Sequence, residues 1–163
     1  MVRRNTLSSM PRSALLKLDN QLCFALYSTS LTMTKLYKPL LHRLGLTYPQ
    51  YLAMLVLWES NELTVSELGQ RLYLDSGTLT PLLKRLESSG WLKRERDVAD
   101  ERRVIVSLTP EGRRLREKAA VVPEIMASAT QCGLSELSDL KKRLQTLRSN
   151  LSTQLDSSAD EAA

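Results

Sequence analysis

The stretch Thr64–Arg103, TVSELGQRLYLDSGTLTPLLKRLESSGWLKRERDVADERR, decides how the rest of the chain is read. Val65, Leu68 and Leu72 recur at helical spacing, and after a short interruption Leu79, Leu82, Leu83 and Leu86 fall at i, i+3, i+4 and i+7. The pattern predicts two short helices joined by a tight turn. Asp75 is placed to cap the second helix, its carboxylate accepting an otherwise unpartnered backbone N–H, and Gly90 is the residue type that follows a helix end. With the leucines on one side, Ser76, Gly77, Thr78, Thr80, Pro81, Lys84 and Arg85 form or flank the opposite face. Small and hydroxyl-bearing side chains there can approach base edges or phosphates closely, while Lys84 and Arg85 can contact phosphates. Pro81 breaks the local rule by removing the bond to the Gly77 carbonyl, at a cost of up to about 3 kcal/mol, and such breaches concentrate at working surfaces.

Beyond Gly90 the apolar period changes to two. Trp91–Arg96 and Arg102–Leu108 read as strands around the charged tip Asp97–Glu101, a β-hairpin. Helix, helix and hairpin together predict a winged helix-turn-helix in a mainly α (α+β) chain. Arg102 or Arg103 at the tip could enter a minor groove, where negative potential favours arginine. Asp100 most simply braces Arg102 through an ion pair. The residues alone leave a second reading open, a small α+β scaffold with a solvated charged loop.

A length of 163 residues fits one domain, or one DNA-binding lobe with an attached dimerisation element, and is too short for a multidomain enzyme. The net charge of +5 favours a polyanionic partner, but only weakly. Two cysteines without close spacing and one histidine argue against a zinc or iron–sulfur site, so neither metal nor cofactor is expected. Met1–Arg4 is basic, yet the apolar residues that follow are too few for a secretory signal, and Leu52–Trp58 is too short to span a bilayer. No membrane association and a reducing cytoplasm are therefore expected, in which free or redox-active thiols are commoner than structural disulfides.

Outward from the central stretch, residues 1–13 are expected to form a disordered tail, and residues 14–46 a dimerisation and sensor segment. The latter is expected as one long helix from near Leu15 to Leu44, with Leu18, Leu22, Leu26, Met33, Leu36, Leu40 and Leu44 on its apolar face and Gly45 at its end. Residues 47–108 are expected to form the DNA-binding lobe, in which Thr47, with Pro49 shortly after, opens an almost wholly apolar element, Tyr51–Trp58. Residues 109–155 are expected to supply C-terminal dimerisation helices: one from Thr109-Pro110-Glu111 to Gln131, kinked at Pro123, the other from Ser135 to about Leu151. The remainder, 156–163, is expected to be a second disordered tail. The terminal apolar stripes exceed what a small lobe can cover, which predicts an intertwined homodimer. Its two recognition helices would lie about one duplex turn apart, matching an inverted-repeat operator.

Cys23 lies in the first long helix with Tyr27 one turn later on the same side, and Tyr37 returns to that side fourteen residues on. Along one helix Cys23 and Tyr37 are roughly 21 Å apart, so a phenol at Tyr37 reaches only the Cys23 of a partner, if the helices cross antiparallel. Tyr48 could join the same pocket. Phenol hydroxyls donating to sulfur favour the thiolate, the nucleophile that would attack an apolar hydroperoxide. The residues alone equally allow a buried, inert cysteine in a tyrosine-rich interface.

The runs LDNQLCFALYSTS (18–30), LYLDSGTLTPLLKRLE (72–87) and DVADERRVIVSLTPEG (97–112) together resemble the MarR family of regulators, and within it the organic hydroperoxide-sensing OhrR branch, over Leu18–Leu147. Asp100 and Arg102 match the family's Asp-x-Arg wing motif. The resemblance implies that Cys23 is the redox-sensing residue and that Tyr27, Tyr37 and Tyr48 stabilise its thiolate. It also implies that Cys132 matches the second, resolving cysteine of two-cysteine members, although a small thiol could cap Cys23 instead and Cys132 could be a spare surface thiol. The expected function is a redox-sensing repressor, not an enzyme. It would bind operator DNA when reduced and release it when organic hydroperoxide oxidises Cys23, and the regulated gene would encode an organic hydroperoxide resistance enzyme. The alternatives are a MarR-type repressor released by a small phenolic or anionic ligand and, less favoured, a thiol peroxidase. The sequence DNQL before Cys23 lacks the threonine and arginine that usually activate a peroxidase cysteine.

Overall fold

The structure, a computed structural model, describes residues 11–160. In order come α1 (Arg12–Leu15), a 3-10 turn (Leu18–Asn20), α2 (Leu22–His42), α3 (Tyr48–Ser60), β1 (Glu62–Thr64), α4 (Val65–Leu72), α5 (Ser76–Ser88), β2 (Leu92–Arg96), β3 (Val104–Leu108), α6 (Pro110–Ala119), α7 (Val121–Ala129) and α8 (Leu134–Asp160). The chain divides into two compact units, Met1–Val122 and Pro123–Ala163.

The first unit holds the winged helix-turn-helix. Thr64 caps α4 by accepting the Glu67 N–H at 3.2 Å while the Glu67 carboxylate takes the Thr64 N–H at 2.8 Å, a reciprocal capping box. Tyr73, in the left-handed region at φ 56°, turns the chain into α5, where Asp75 accepts the Thr78 N–H at 2.9 Å. On α5, Leu79, Leu83 and Leu86 are fully buried, and α5 packs on α3, α4 and β2, whose Ala53, Met54, Leu57, Leu68 and Leu92 are buried as well. Each such leucine contributes about 1.5–3 kcal/mol. The sheet order is β1-β3-β2, all antiparallel, with Leu63 opposite Val106 and Arg94 opposite the same residue on the other side. The hairpin was legible; β1, only three residues long, was not.

Several boundaries differ from expectation. The helix expected from near Leu15 to Leu44 begins at Leu22, because Asn20 and Gln21 turn their side-chain amides onto the backbone carbonyls of Ala14 and Leu15. Such local bonds compete with the helical ladder. At its other end Gly45 adopts φ 68°, and the Gly45 and Leu46 N–H groups donate to His42 and Leu41 at 3.1 and 3.0 Å, the pairing of a left-handed helix stop. Thr47, expected to open the element of Tyr51–Trp58, is the N-cap of α3, its N–H held by Gln50 at 2.8 Å, and the helix starts at Tyr48, before the apolar run. The helix expected from Thr109 to Gln131 with a kink at Pro123 is divided there into α6 and α7, the break falling at Ala120, since Pro123 has no N–H for the Ala119 carbonyl. Of the expected N-terminal tail, residues 1–10 lie outside the described residues and Arg12–Leu15 are helical.

In the second unit, α8 continues nine residues past Leu151 to Asp160, so 156–160 are helical rather than tail. No glycine or proline interrupts that segment, and Thr153, Ser157 and Ser158 return their hydroxyls to carbonyls three or four residues back. Among the described residues no helix is long and apolar enough to cross a membrane.

α6 meets the base of the wing at Gly112. A Cβ there would lie 1.9 Å from the Trp91 carbonyl oxygen. Gly112→Ala must therefore push α6 off the base of the wing. We expect it to lose about 3 kcal/mol, seen as a fall in Tm of about 6–12 °C on thermal melting. An unchanged Tm would mean that this contact is loose.

Candidate functional site

Because the leucines of α5 face inward, its first turn presents Ser76, Gly77 and Thr78 to solvent, followed by Pro81, Lys84 and Arg85, with Thr80 half-exposed. Pro81 leaves the Gly77 carbonyl without its helical donor, while the Thr80 hydroxyl donates to the Ser76 carbonyl at 2.7 Å. Two bonds from Thr78, backbone N–H and hydroxyl, hold the Asp75 carboxyl below its ordinary range, so the cap stays ionised. The outward surface is small, hydroxyl-rich and basic toward its C-terminal half.

At the wing tip, Arg102 Nε donates to Asp100 Oδ1 at 3.0 Å and the Arg102 N–H to the same oxygen at 3.1 Å. The guanidinium lowers the pKa of Asp100, yet the Arg102 side chain remains 91% exposed. The carboxylate thus aims an arginine that solvent still surrounds. Arg103 turns back toward Asp97 at 3.9 Å, and its charge also favours ionised Glu67 and Asp100.

A link not apparent from the sequence fixes the wing to α5. Glu87 accepts the Arg94 backbone N–H at 3.0 Å and both its Nε and Nη2, at 3.0 and 2.7 Å, which holds the Glu87 carboxyl below its ordinary value. Seven residues apart across a helix end and a strand start, the pair belongs to no local motif.

The sulfur and the phenols fall into separate places. Cys23 is a free, exposed thiol in the first turn of α2, and Tyr27 beside it is 62% exposed. Leu22, Leu26, Leu31, Met33 and Leu36 of the same helix are also exposed. At the other end of α2, Tyr37 stacks on Tyr48 of α3 with ring centroids 4.7 Å apart, and Tyr51 lies 6.0 Å from Tyr37. Burial raises the pKa of all three phenols, with smaller contributions from Tyr48 and Tyr51 on Tyr37 and from Tyr48 on Tyr51. They stand as neutral O–H donors at neutral pH. Tyr51 was not among the expected residues, although its spacing of three from Tyr48 puts both on one helix face. Within one chain, then, the structure brings Tyr37 and Tyr48 together and leaves Cys23 and Tyr27 apart from them.

In the second unit Cys132 is a free, half-buried thiol after α7, its Sγ donating to the Thr130 carbonyl at 3.4 Å and its N–H to the Thr130 hydroxyl at 3.2 Å. Among the described residues no three His, Cys, Asp or Glu side chains are grouped as a metal site requires.

Comparison with known proteins places this geometry among regulators. The family model for transcriptional regulators SarA/Rot matches residues 35–119. The organic hydroperoxide resistance transcriptional regulator of Bacillus subtilis is 52% identical over 136 residues, covering 83% of this chain and 92% of that protein. Among solved structures, reduced AbfR bound to DNA matches with a TM-score of 0.71 at 39% identity, covering 86% of this chain and 99% of that one; AbfR is a Staphylococcus epidermidis protein. Disulfide-formed AbfR matches with a TM-score of 0.57 at 39% identity, covering 83% and 95%.

The Glu87–Arg94 link carries a pH signature. Its carboxyl is held below the ordinary 4.5, so the stability it contributes is present above that value and is lost as pH falls through the lower, folded-state value. After discounting for partial exposure, Glu87→Gln should cost about 1 kcal/mol at pH 7, a Tm difference of about 2–4 °C. In parallel melting curves the difference should close as pH falls below 4.5 and through the lower, folded-state value. A gap of constant size would assign the effect to shape, not charge.

Proposed function

The chain belongs to the MarR/SarA family of winged-helix transcriptional regulators, in the branch of the organic hydroperoxide resistance regulators, and on that premise we propose that it is a homodimeric, redox-sensing repressor. In this reading reduced protein binds an inverted-repeat operator, and oxidation of Cys23 by an organic hydroperoxide releases it. The observation that carries the reading is an exposed thiol on an exposed apolar helix face whose far end holds paired, protonated phenols.

That face calls for a cover. Leu22, Leu26, Met33 and Leu36 share one side of α2, and Leu140, Leu144, Leu151 and Leu155 recur along α8, all exposed. A second copy with α2 antiparallel would bury such a stripe. It would also bring Tyr37 and Tyr48 of one chain to Cys23 of the other, across the roughly 21 Å of helix rise that separates them within a chain. There the phenols would donate to the thiolate, with Tyr27 of the sulfur's own helix closing the pocket.

The thiolate attacks the terminal peroxide oxygen, the O–O bond breaks, and the departing alkoxide takes a proton to leave as alcohol. Cys23 is thereby oxidised to a sulfenic acid. The Cys132 thiol of the other copy then displaces the hydroxyl, forming a disulfide and releasing water. That the relative AbfR is known both reduced on DNA and as a disulfide supports the sequence of states. Drawing Cys23 away would break the phenol contacts and alter the separation of the two α5 helices. To move a population from 1:99 to 99:1 needs about 5.5 kcal/mol of bias.

On the DNA, Ser76, Gly77, Thr78, Thr80 and Pro81 would lie against the major groove, Lys84 and Arg85 on phosphates, and Arg102 in the minor groove, aimed by Asp100 and flanked by Arg103. In an operator shift assay, Cys23→Ser protein should stay bound after cumene hydroperoxide treatment that releases wild type. Release of the variant would remove Cys23 from the sensing role. Dissociation of wild type by a phenolic acid without oxidant, unaffected by dithiothreitol, would favour the ligand-released alternative. Lys84→Ala should weaken binding to operator and unrelated DNA alike, with a salt slope reduced by about one. A loss confined to operator would instead make Lys84 a base-reading residue.

A further inference from the structure

Tyr37 and Tyr48 are continuous with a file of aromatic rings that leads away from α2. From Tyr37 the file passes to Tyr51, and Tyr51 meets Trp58 edge-on, with centroids 6.3 Å apart and planes at 69°. Trp58 is only 8% exposed, and its indole N–H donates to the Gly112 carbonyl at 2.8 Å, across 54 residues of sequence. Gly112 is where the DNA-reading parts converge. Its N–H donates to the Thr109 hydroxyl at 3.0 Å, and that hydroxyl in turn donates to the Gly90 carbonyl at 2.7 Å. The Trp91 carbonyl lies so close to the Gly112 Cα that no side chain fits between them, and it also accepts the Thr109 N–H at 3.2 Å. Trp91 closes the end of α5, its N–H on the Leu86 carbonyl at 3.0 Å, and β2 begins at the next residue.

We propose that Trp58 is a positioning residue of the switch: its indole N–H, bonded to the Gly112 carbonyl, makes the end of α5 and the base of the wing follow the state of the tyrosine pocket. The inference rests on the redox-repressor reading and adds to it the element by which the pocket governs the DNA surface. A phenylalanine would fill most of the same space, so what tryptophan adds is one directional bond, made to the backbone of the node itself. Coupling of this kind is a difference between two states, so it must be read as a ratio of affinities and not as stability.

The test compares full-length wild type with Trp58→Phe, measuring operator Kd by fluorescence anisotropy before and after one equivalent of cumene hydroperoxide. For wild type, Kd should rise on oxidation. For Trp58→Phe, the ratio of oxidised to reduced Kd should be at least tenfold smaller, about 1.4 kcal/mol of lost coupling. An equal ratio in the two proteins, whatever the change in Tm, would overturn the inference and leave Trp58 as core. If wild type itself shows no change on oxidation, the redox-repressor reading fails instead, so the two failures are distinct. Should Trp58→Phe not fold, Trp91→Phe leaves Trp58 as the sole tryptophan of the chain. Its emission should shift when Cys23 is oxidised and stay fixed in the Cys23→Ser, Trp91→Phe double variant. Emission unmoved by oxidation would equally overturn the inference.

Discussion

Three leucines, Leu79, Leu83 and Leu86, fix which side of α5 the molecule can offer to anything else. They bury completely into a core shared with α3, α4 and the sheet, which leaves Ser76, Gly77, Thr78, Pro81, Lys84 and Arg85 outside. A rotation of α5 by one residue would turn a leucine into water and a lysine into the core, at a cost of several kcal/mol, so the reading face is as firmly set as the core itself. The wing inherits its position from the same helix. Glu87, the residue after Leu86, grips Arg94 in β2, and Trp91 between them hydrogen-bonds back to Leu86. A helix face, a strand and an arginine-bearing tip are thereby carried as one body.

A second constraint acts on the sensor end and is one of length. α2 runs without a break from Leu22 to His42, so Cys23 and the half-buried Tyr37 stand roughly 21 Å apart. No rotamer closes such a gap. If the phenols ionise a sulfur, it is a sulfur on another copy, and the exposed leucines along α2 are a face that such a copy would cover. Homodimerisation and thiol activation then have one cause. The same phenols lead through Tyr51 and Trp58 toward Gly112, so the pocket and the DNA surface share a core in each chain.

What the sequence made legible follows from the range of the forces involved. The spacing of Leu79 to Leu86, the cap at Asp75 and the change to period two after Gly90 are local signals, and helix, cap and hairpin stand where they pointed. The break before Leu22 depends on two side-chain amides finding carbonyls six residues away, which no periodicity reveals. β1 has only three residues and exists because β3 offers it an edge. Among the site residues, Tyr48 was legible beside Tyr37, whereas Tyr51 was hidden inside an apolar run that reads as core, and it is both core and part of the tyrosine cluster. Glu87–Arg94 and Trp58–Gly112 are tertiary bonds, invisible until the elements are packed.

The proposed switch depends most directly on Cys23 being oxidised where a second copy can answer it. Non-reducing electrophoresis after one equivalent of cumene hydroperoxide examines that dependence. Wild type should run at twice the chain mass, return to single mass with dithiothreitol, and remain single when either Cys23 or Cys132 is replaced by serine. Doubling that persists without Cys23, or wild type that loses its operator while remaining a single chain on the gel, would contradict it.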